Sequence, residues 1–176
     1  MDRALIPHPD HPSPAAASVG VSIARGQGGL QLGFVVTGDL PRIVLPPPAR
    51  PCRTEGLWRS TCFELFVRGE GEAYLEFNFS PSGQWAAYGF DAYRAGRREW
   101  GLAEPPLIRI SQDPDAIRLA ALVTPDLGPD PRIGLAAVIE DTSGTLSYWA
   151  LAHPAGAPDF HHPSCFALEL PPAPRP

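Results

Sequence analysis

Apolar residues in this chain come in short runs, and nearly every gap between two runs holds Gly, Pro, Asp or Ser. Runs of four to eight residues closed by such punctuation are strand-length, whereas a helix needs ten or more residues at a 3.6-residue period. The pattern predicts strands over Ala17 to Ala24 and Leu30 to Val36, with a short edge strand at Ile43 to Leu45 stopped by three prolines. Further strands are expected at Thr61 to Val67, Tyr74 to Ser80, Gln84 to Asp91, Leu107 to Ser111, Ile117 to Val123, Ile133 to Glu140, Leu146 to Leu151 and Cys165 to Leu170. Arg94 to Glu99 reads as a charged excursion with a short helical turn. No stretch reads as an amphipathic helix. Proline supports this, at 23 of 176 residues, about 13% against an average near 5%. The expectation is one all-β domain over residues 1–176, with about ten short antiparallel strands in a sandwich or partly closed barrel. A Pro-rich leader (about 1–16) and a Pro-rich tail (about 171–176) would flank it.

The richest stretch runs from Trp58 to Arg94. Alternate strand residues share a face, so Cys62, Glu64 and Phe66 lie together, as do Tyr74, Glu76 and Asn78. A hairpin turning around Glu70 would set Glu64 opposite Glu76 and Cys62 opposite Asn78. Opposed like charges destabilise a strand pair. A retained proton, a cation between the two, or exposure at a solvated rim would each relieve the clash, and a slipped register would avoid it. Two close carboxylates also suit a retaining glycosidase, whose pair stands about 5–5.5 Å apart. The chain shows no separate substrate cleft, so hydrolase activity is a minor reading.

Charge and composition exclude several classes. The net charge is −5, with only 14 Lys plus Arg, so no basic stripe for nucleic acid is present. No apolar run reaches membrane-spanning length. The opening MDRALIPHPDHPSP lacks the plan of a secretory signal, which leads to the expectation of a cytoplasmic protein. Cys52, Cys62 and Cys165 have no metal-ligand spacing and read as reduced thiols. No nucleophile triad, phosphate loop or Cys-x-x-Cys pattern occurs, and the chain is expected not to be an enzyme.

Among the tryptophans, Trp149 sits inside an apolar run and is expected in the core, and Trp85 is balanced between core and rim. Trp58 lies in Gly56-Leu-Trp-Arg-Ser60, where a loop can present an exposed ring to the C–H face of a sugar. The histidines are His8, His11, His153, His161 and His162. Neighbours on an extended segment point to opposite sides, so His161 and His162 do not chelate one metal together.

Several separated motifs carry a resemblance: Pro7-His8-Pro9, GLWRSTCFELFV, YLEFNFSPSGQWAAYGFDAYR, AVIED and the PDFHHPSCF ending. Together they resemble the bacterial DOMON-like ligand-binding domains, which are related to family 9 carbohydrate-binding modules and share a β-sandwich. In those modules a Trp-x5-Glu-[Ile/Val]-Phe pattern leads the ligand-binding strand. Trp58, Glu64 and Leu65-Phe66 fall on it. The family's ligand-contacting asparagine falls on Asn78, but its partner arginine two residues earlier is Glu76 here. The second sugar-stacking tryptophan falls on Phe160, and a polar strand position becomes Val138, with acidic character kept at Glu140 and Asp141.

The resemblance implies non-catalytic binding of a small polar ligand, a saccharide or sugar-like metabolite. Trp58 and Phe160 would stack on it over an acidic floor of Glu64, Glu76, Asn78 and Glu140, with His161 beside Phe160. The competing reading is a structural or protein-interaction domain with a vestigial pocket. No cofactor is expected. Related modules carry calcium on oxygen ligands, which stays open. Haem through Met and His is disfavoured, because Met1 is the sole methionine. No protein partner is identified.

Overall fold

A computed structural model describes residues 1–26, 28–125 and 131–170. The tail expected at 171–176 lies outside the described residues. The strands are β1 (Asp2–Ala4), β2 (Ile6–Pro7), β3 (Ala16–Gly26), β4 (Gly29–Gly38), β5 (Cys62–Arg68), β6 (Tyr74–Phe79), β7 (Trp85–Phe90), β8 (Arg98–Glu99), β9 (Leu107–Gln112), β10 (Ile117–Val123), β11 (Arg132–Glu140), β12 (Leu146–Ala150) and β13 (Leu168–Glu169). One sheet has the order β1-β3-β4-β10-β9. The other runs β2-β12-β11-β5-β6-β7-β8, with β13 also pairing β11. Every strand pair is antiparallel. Among the described residues there is no α-helix, and no helix long and apolar enough to cross a membrane.

The two sheets bury a shared core. Val19, Val21 and Ile23 on β3 and Leu30, Leu32, Phe34 and Val36 on β4 meet Phe63, Leu65 and Val67 on β5 and Ile133, Leu135 and Ile139 on β11. These are every second residue of each strand, as a half-buried strand requires. Trp149 and Trp85 join the same core. Yet β5 and β7 are buried almost without a break. The reason is a second apolar layer on the outer face of the larger sheet, where Phe66, Tyr74, Tyr88, Phe90, Val138 and Phe166 pack together. Both faces of that sheet are therefore covered, which is why its strands read as apolar runs rather than clean alternations.

Several expectations are corrected. The leader is built into the sandwich: β1 pairs β3 in one sheet, β2 pairs β12 in the other, and Leu5 between them is buried. Its prolines suit an edge strand, where the missing N–H costs no ladder bond. Ile43 makes only an isolated bridge to Asp141. Arg94 lies in a tight turn in which the Ala95 N–H donates to the Ala92 carbonyl, and a two-residue strand follows instead of a helical turn. The run from Cys165 is a 3-10 turn (Pro163–Cys165) before the short β13.

Candidate functional site

The β5–β6 connection sets the site's floor. Arg68 pairs with Tyr74, so the turn is longer than a hairpin centred on Glu70 would need, and the register moves by two residues. Glu64 then faces Asn78, and Phe66 faces Glu76. The shared face survives, but the two carboxyls become diagonal rather than opposite, which relieves the like-charge clash. Glu64, Glu76 and Asn78 nevertheless remain buried, at 3%, 6% and 0% exposure. Of the arrangements the sequence left open, the solvated rim is excluded, because the pair lies on a covered floor.

Three segments roof this floor. The 3-10 turn Leu57–Arg59 carries Trp58. The turn over 91–97 carries Arg94 and Arg97, and the stretch over 158–166 carries Phe160 and His161. Gly134 on β11 lets the last of these lie flat: a Cβ there would stand 3.1 Å from the Cys165 carbonyl oxygen and 3.2 Å from Phe66 Cβ. Asp159 latches two roof pieces together. Its carboxylate accepts from Arg94 Nε (3.1 Å) and Nη2 (2.7 Å), from the Tyr93 hydroxyl and from the His161 N–H (3.1 Å). Between roof and floor is a cavity of about 600 Å³ lined in part by Trp58, Glu64, Glu76, Tyr148, Phe160 and His161. That volume suits a small-molecule ligand.

Its electrostatics follow from a chain of buried hydrogen bonds. Cys62 Sγ–H donates to Asn78 Oδ1 (3.5 Å), and Asn78 Nδ2–H donates to Glu76 Oε1 (2.6 Å). Burial pushes the Glu76 carboxyl above its usual range, opposed by the Asn78 hydrogen bond and the charges of Arg97 and Arg94. Glu64 has no such support: no hydrogen bond reaches its side chain among the described residues. Burial, reinforced by the charge of Glu76, holds its carboxyl well above the ordinary value. Burial thus raises both carboxyls, Glu64 the more strongly, so the floor pair favours keeping a proton.

His161 completes the wall. The Tyr74 hydroxyl accepts from the Arg94 backbone N–H (3.2 Å) and lies 2.8 Å from His161 Nδ1. Tyr74 therefore donates to Nδ1, which leaves the proton on Nε2, 3.7 Å from Glu76 Oε2. Burial and then the nearby Arg94 charge push the imidazole down to about 4. It is neutral near pH 7, so its contact with Glu76 is not an ion pair there.

The structure brings Trp58, Glu64, Glu76, Phe160 and His161 to one cavity, but two expected contacts stand elsewhere. Asn78 lies beneath the floor and orients Glu76. Glu140 accepts from the Ser60 hydroxyl at 2.5 Å while its N–H donates to Thr61 Oγ1, so it anchors the turn that bears Trp58. Phe160 is only 9% exposed and has Tyr148 and His153 as ring neighbours at 6.1 and 6.2 Å. It presents an edge of wall more than an open face. Tyr148, Arg59, Arg94 and Arg97 also line the cavity. Tyr148 was findable, since it neighbours the core residue Trp149 and must face the other way. The arginines were not: only the fold brings the turn over 91–97 above the floor. Among the described residues no three His, Cys, Asp or Glu side chains cluster closely enough to hold a metal ion.

Fold and site together define a two-sheet antiparallel sandwich with a roofed pocket on the outer face of its larger sheet. Two solved structures share the architecture. One, a candidate carbohydrate-binding protein from Bacteroides uniformis, is 15% identical with a TM-score of 0.62, over 94% of this chain and 83% of that one. The other is a family 9 carbohydrate-binding module from Caldicellulosiruptor kristjanssonii in complex with glucose, at 10% identity and a TM-score of 0.54, over 89% of this chain and 76% of that one. No protein-family model and no curated protein matches the chain in sequence. The likeness establishes the sandwich fold.

Proposed function

We propose that this protein binds a saccharide, without chemical turnover, in the cavity between Trp58 and the Glu64–Glu76 floor. The observation that carries the reading is Glu64: a carboxyl 3% exposed, without a hydrogen-bond partner among the described residues, facing a cavity of ligand size. Its oxygens are not sealed from the cavity, so a bound hydroxyl can take the place of water as their hydrogen-bond partner. A protonated carboxyl offers one donor and one acceptor, matching a sugar hydroxyl that can do both. Trp58, partly exposed at the cavity wall, supplies an apolar face for the ring C–H groups. The glucose complex of the family 9 module, which has the same fold, adds support.

Binding is favoured over hydrolysis by the placement of the two carboxyls. Both rise from neighbouring strands on one side of the cavity, whereas glycosidases flank the scissile bond with theirs. Titration of tryptophan fluorescence with a panel of mono- and disaccharides tests the reading. Saturable quenching is expected, weakened by an order of magnitude or more in Trp58→Ala and in Glu64→Ala. A panel that leaves the fluorescence and the calorimetric heat unchanged would refute it.

A further inference from the structure

The cavity lining carries three guanidinium groups, Arg59, Arg94 and Arg97, against two carboxyls, Glu64 and Glu76. The carboxylates nearest the arginines are already committed. Asp159 is taken by Arg94, Tyr93 and the His161 N–H. Glu55 accepts from Arg53 (2.6 Å), Arg97 (2.9 Å) and the Tyr88 hydroxyl (2.8 Å). Arg59 is exposed, and no hydrogen bond or ion pair engages its side chain among the described residues. Arg97 keeps part of its fork unused while its guanidinium carbon lies 4.2 Å from the Tyr88 ring centroid and 5.6 Å from that of Trp58. Cationic donors therefore stand around the proposed stacking ring, above a floor whose two carboxyls are both raised above their ordinary pKa by burial.

Resting on the saccharide reading, we infer that the ligand is an acidic sugar, with its oxyanion group held at the arginine-bearing mouth and its hydroxyls over Glu64 and Glu76. The planar guanidinium fork matches the oxygens of a carboxylate or phosphate. A neutral sugar would leave these groups to water. The raised pKa of both floor carboxyls fits the same picture, because a fully ionised pair would repel an anion. Among the described residues Arg59 is the lining guanidinium with no ion-pair partner, and it stands out on a protein whose net charge is −5.

Glucose, glucuronate and glucose 6-phosphate differ only at one exocyclic position and make a matched test by calorimetry on the full chain. One or both acidic sugars are expected to bind about tenfold or more tighter than glucose. The ratio should shrink between about 0.1 M and about 1 M salt, as the screening length falls from about 10 Å to about 3 Å. Arg59→Gln, at an exposed position, should lower the ratio while thermal unfolding confirms an intact fold. Preference for glucuronate over the phosphate, or the reverse, identifies the oxyanion. Glucose binding as tightly as both acids, with no salt dependence of the ratio, would overturn the inference and leave the saccharide reading standing. Failure of all three sugars to bind would count against both.

Discussion

Replacing Glu64 by Gln isolates the most unusual group in the molecule. The carboxyl is buried, and its folded-state pKa lies well above the ordinary glutamate value of 4.5. Above that ordinary value the unfolded chain has released this proton while the folded chain still holds it. The folded state binds more protons in this window, so stability falls as pH rises, by about 1.4 kcal/mol per pH unit for one group. The loss starts near pH 4.5 and ends once the folded-state carboxyl itself ionises. Gln keeps the shape of the protonated acid and does not titrate. Glu76, His161, Arg94, Arg97 and Cys62 face the same neutral neighbour in both proteins, so their contributions largely cancel in the difference. Urea unfolding of wild type and E64Q at half-unit steps from pH 4 to 8 should give a difference that is flat at the acid end. It should then widen in favour of E64Q by about 1.4 kcal/mol per unit before levelling. Against a total stability of about 5–15 kcal/mol that is a readily measured change. A difference that stays flat across the range, or that favours wild type as pH rises, would show Glu64 to be ionised and the account of the floor to be wrong.

The neighbouring His161 titrates with the opposite sign. Its folded-state value is lowered to about 4, so stability is lost as pH falls from about 6.5 toward about 4, and nitrogen-detected NMR at pH 6 should find Nε2 protonated and Nδ1 bare. A titration midpoint at or above 6.5 would contradict the tautomer chain through Tyr74. Gly134→Ala should destabilise the fold by about 1–3 kcal/mol, because the added methyl meets backbone at Cys165 and the stem of Phe66. An unchanged or raised melting temperature would show that the 158–166 segment does not rest on β11 as described.

Strand periodicity carried most of the architecture in the sequence, because period-2 burial is a local property that short runs express directly. Ten of the eleven predicted runs appear as strands in whole or in part; Ile43 to Leu45 alone reduces to a bridge. What was not legible depended on non-local pairing. The leader looked like an appendage because its prolines are poor central-strand residues, and nothing in Met1 to Pro14 shows that β3 and β12 leave free edges for it. The register of Glu64 against Asn78 turned on loop length, which periodicity does not fix. Within the site, face-sharing on β5 and β6 was readable, and so was the loop position of Trp58. That Asn78 and Glu140 would serve as supports rather than liners was not, since both lie on strands of the correct sheet and only the packing of the roof decides which side chains reach the cavity.

The polarity of the site has one structural origin. The resemblance to sugar-binding modules implies an arginine at the position held by Glu76, with an asparagine beside it. Here the asparagine remains, but Asn78 directs its amide N–H toward the carboxylate and receives the Cys62 thiol on its oxygen, so the polar chain that orients the floor residue is intact. Burial raises the pKa of a carboxyl in that position, and nearby positive charge opposes the rise. Arg94 and Arg97 supply it from above, at the cost of latching to Asp159 and Glu55 at the surface. Here the cations stand at the mouth, and the floor carries carboxyls with raised pKa. A sugar entering this cavity would meet carboxyls at the floor, which accept as well as donate hydrogen bonds, and guanidinium donors at the mouth. The ligand's charged group, if it has one, must then point outward toward the arginines and not down into the sheet.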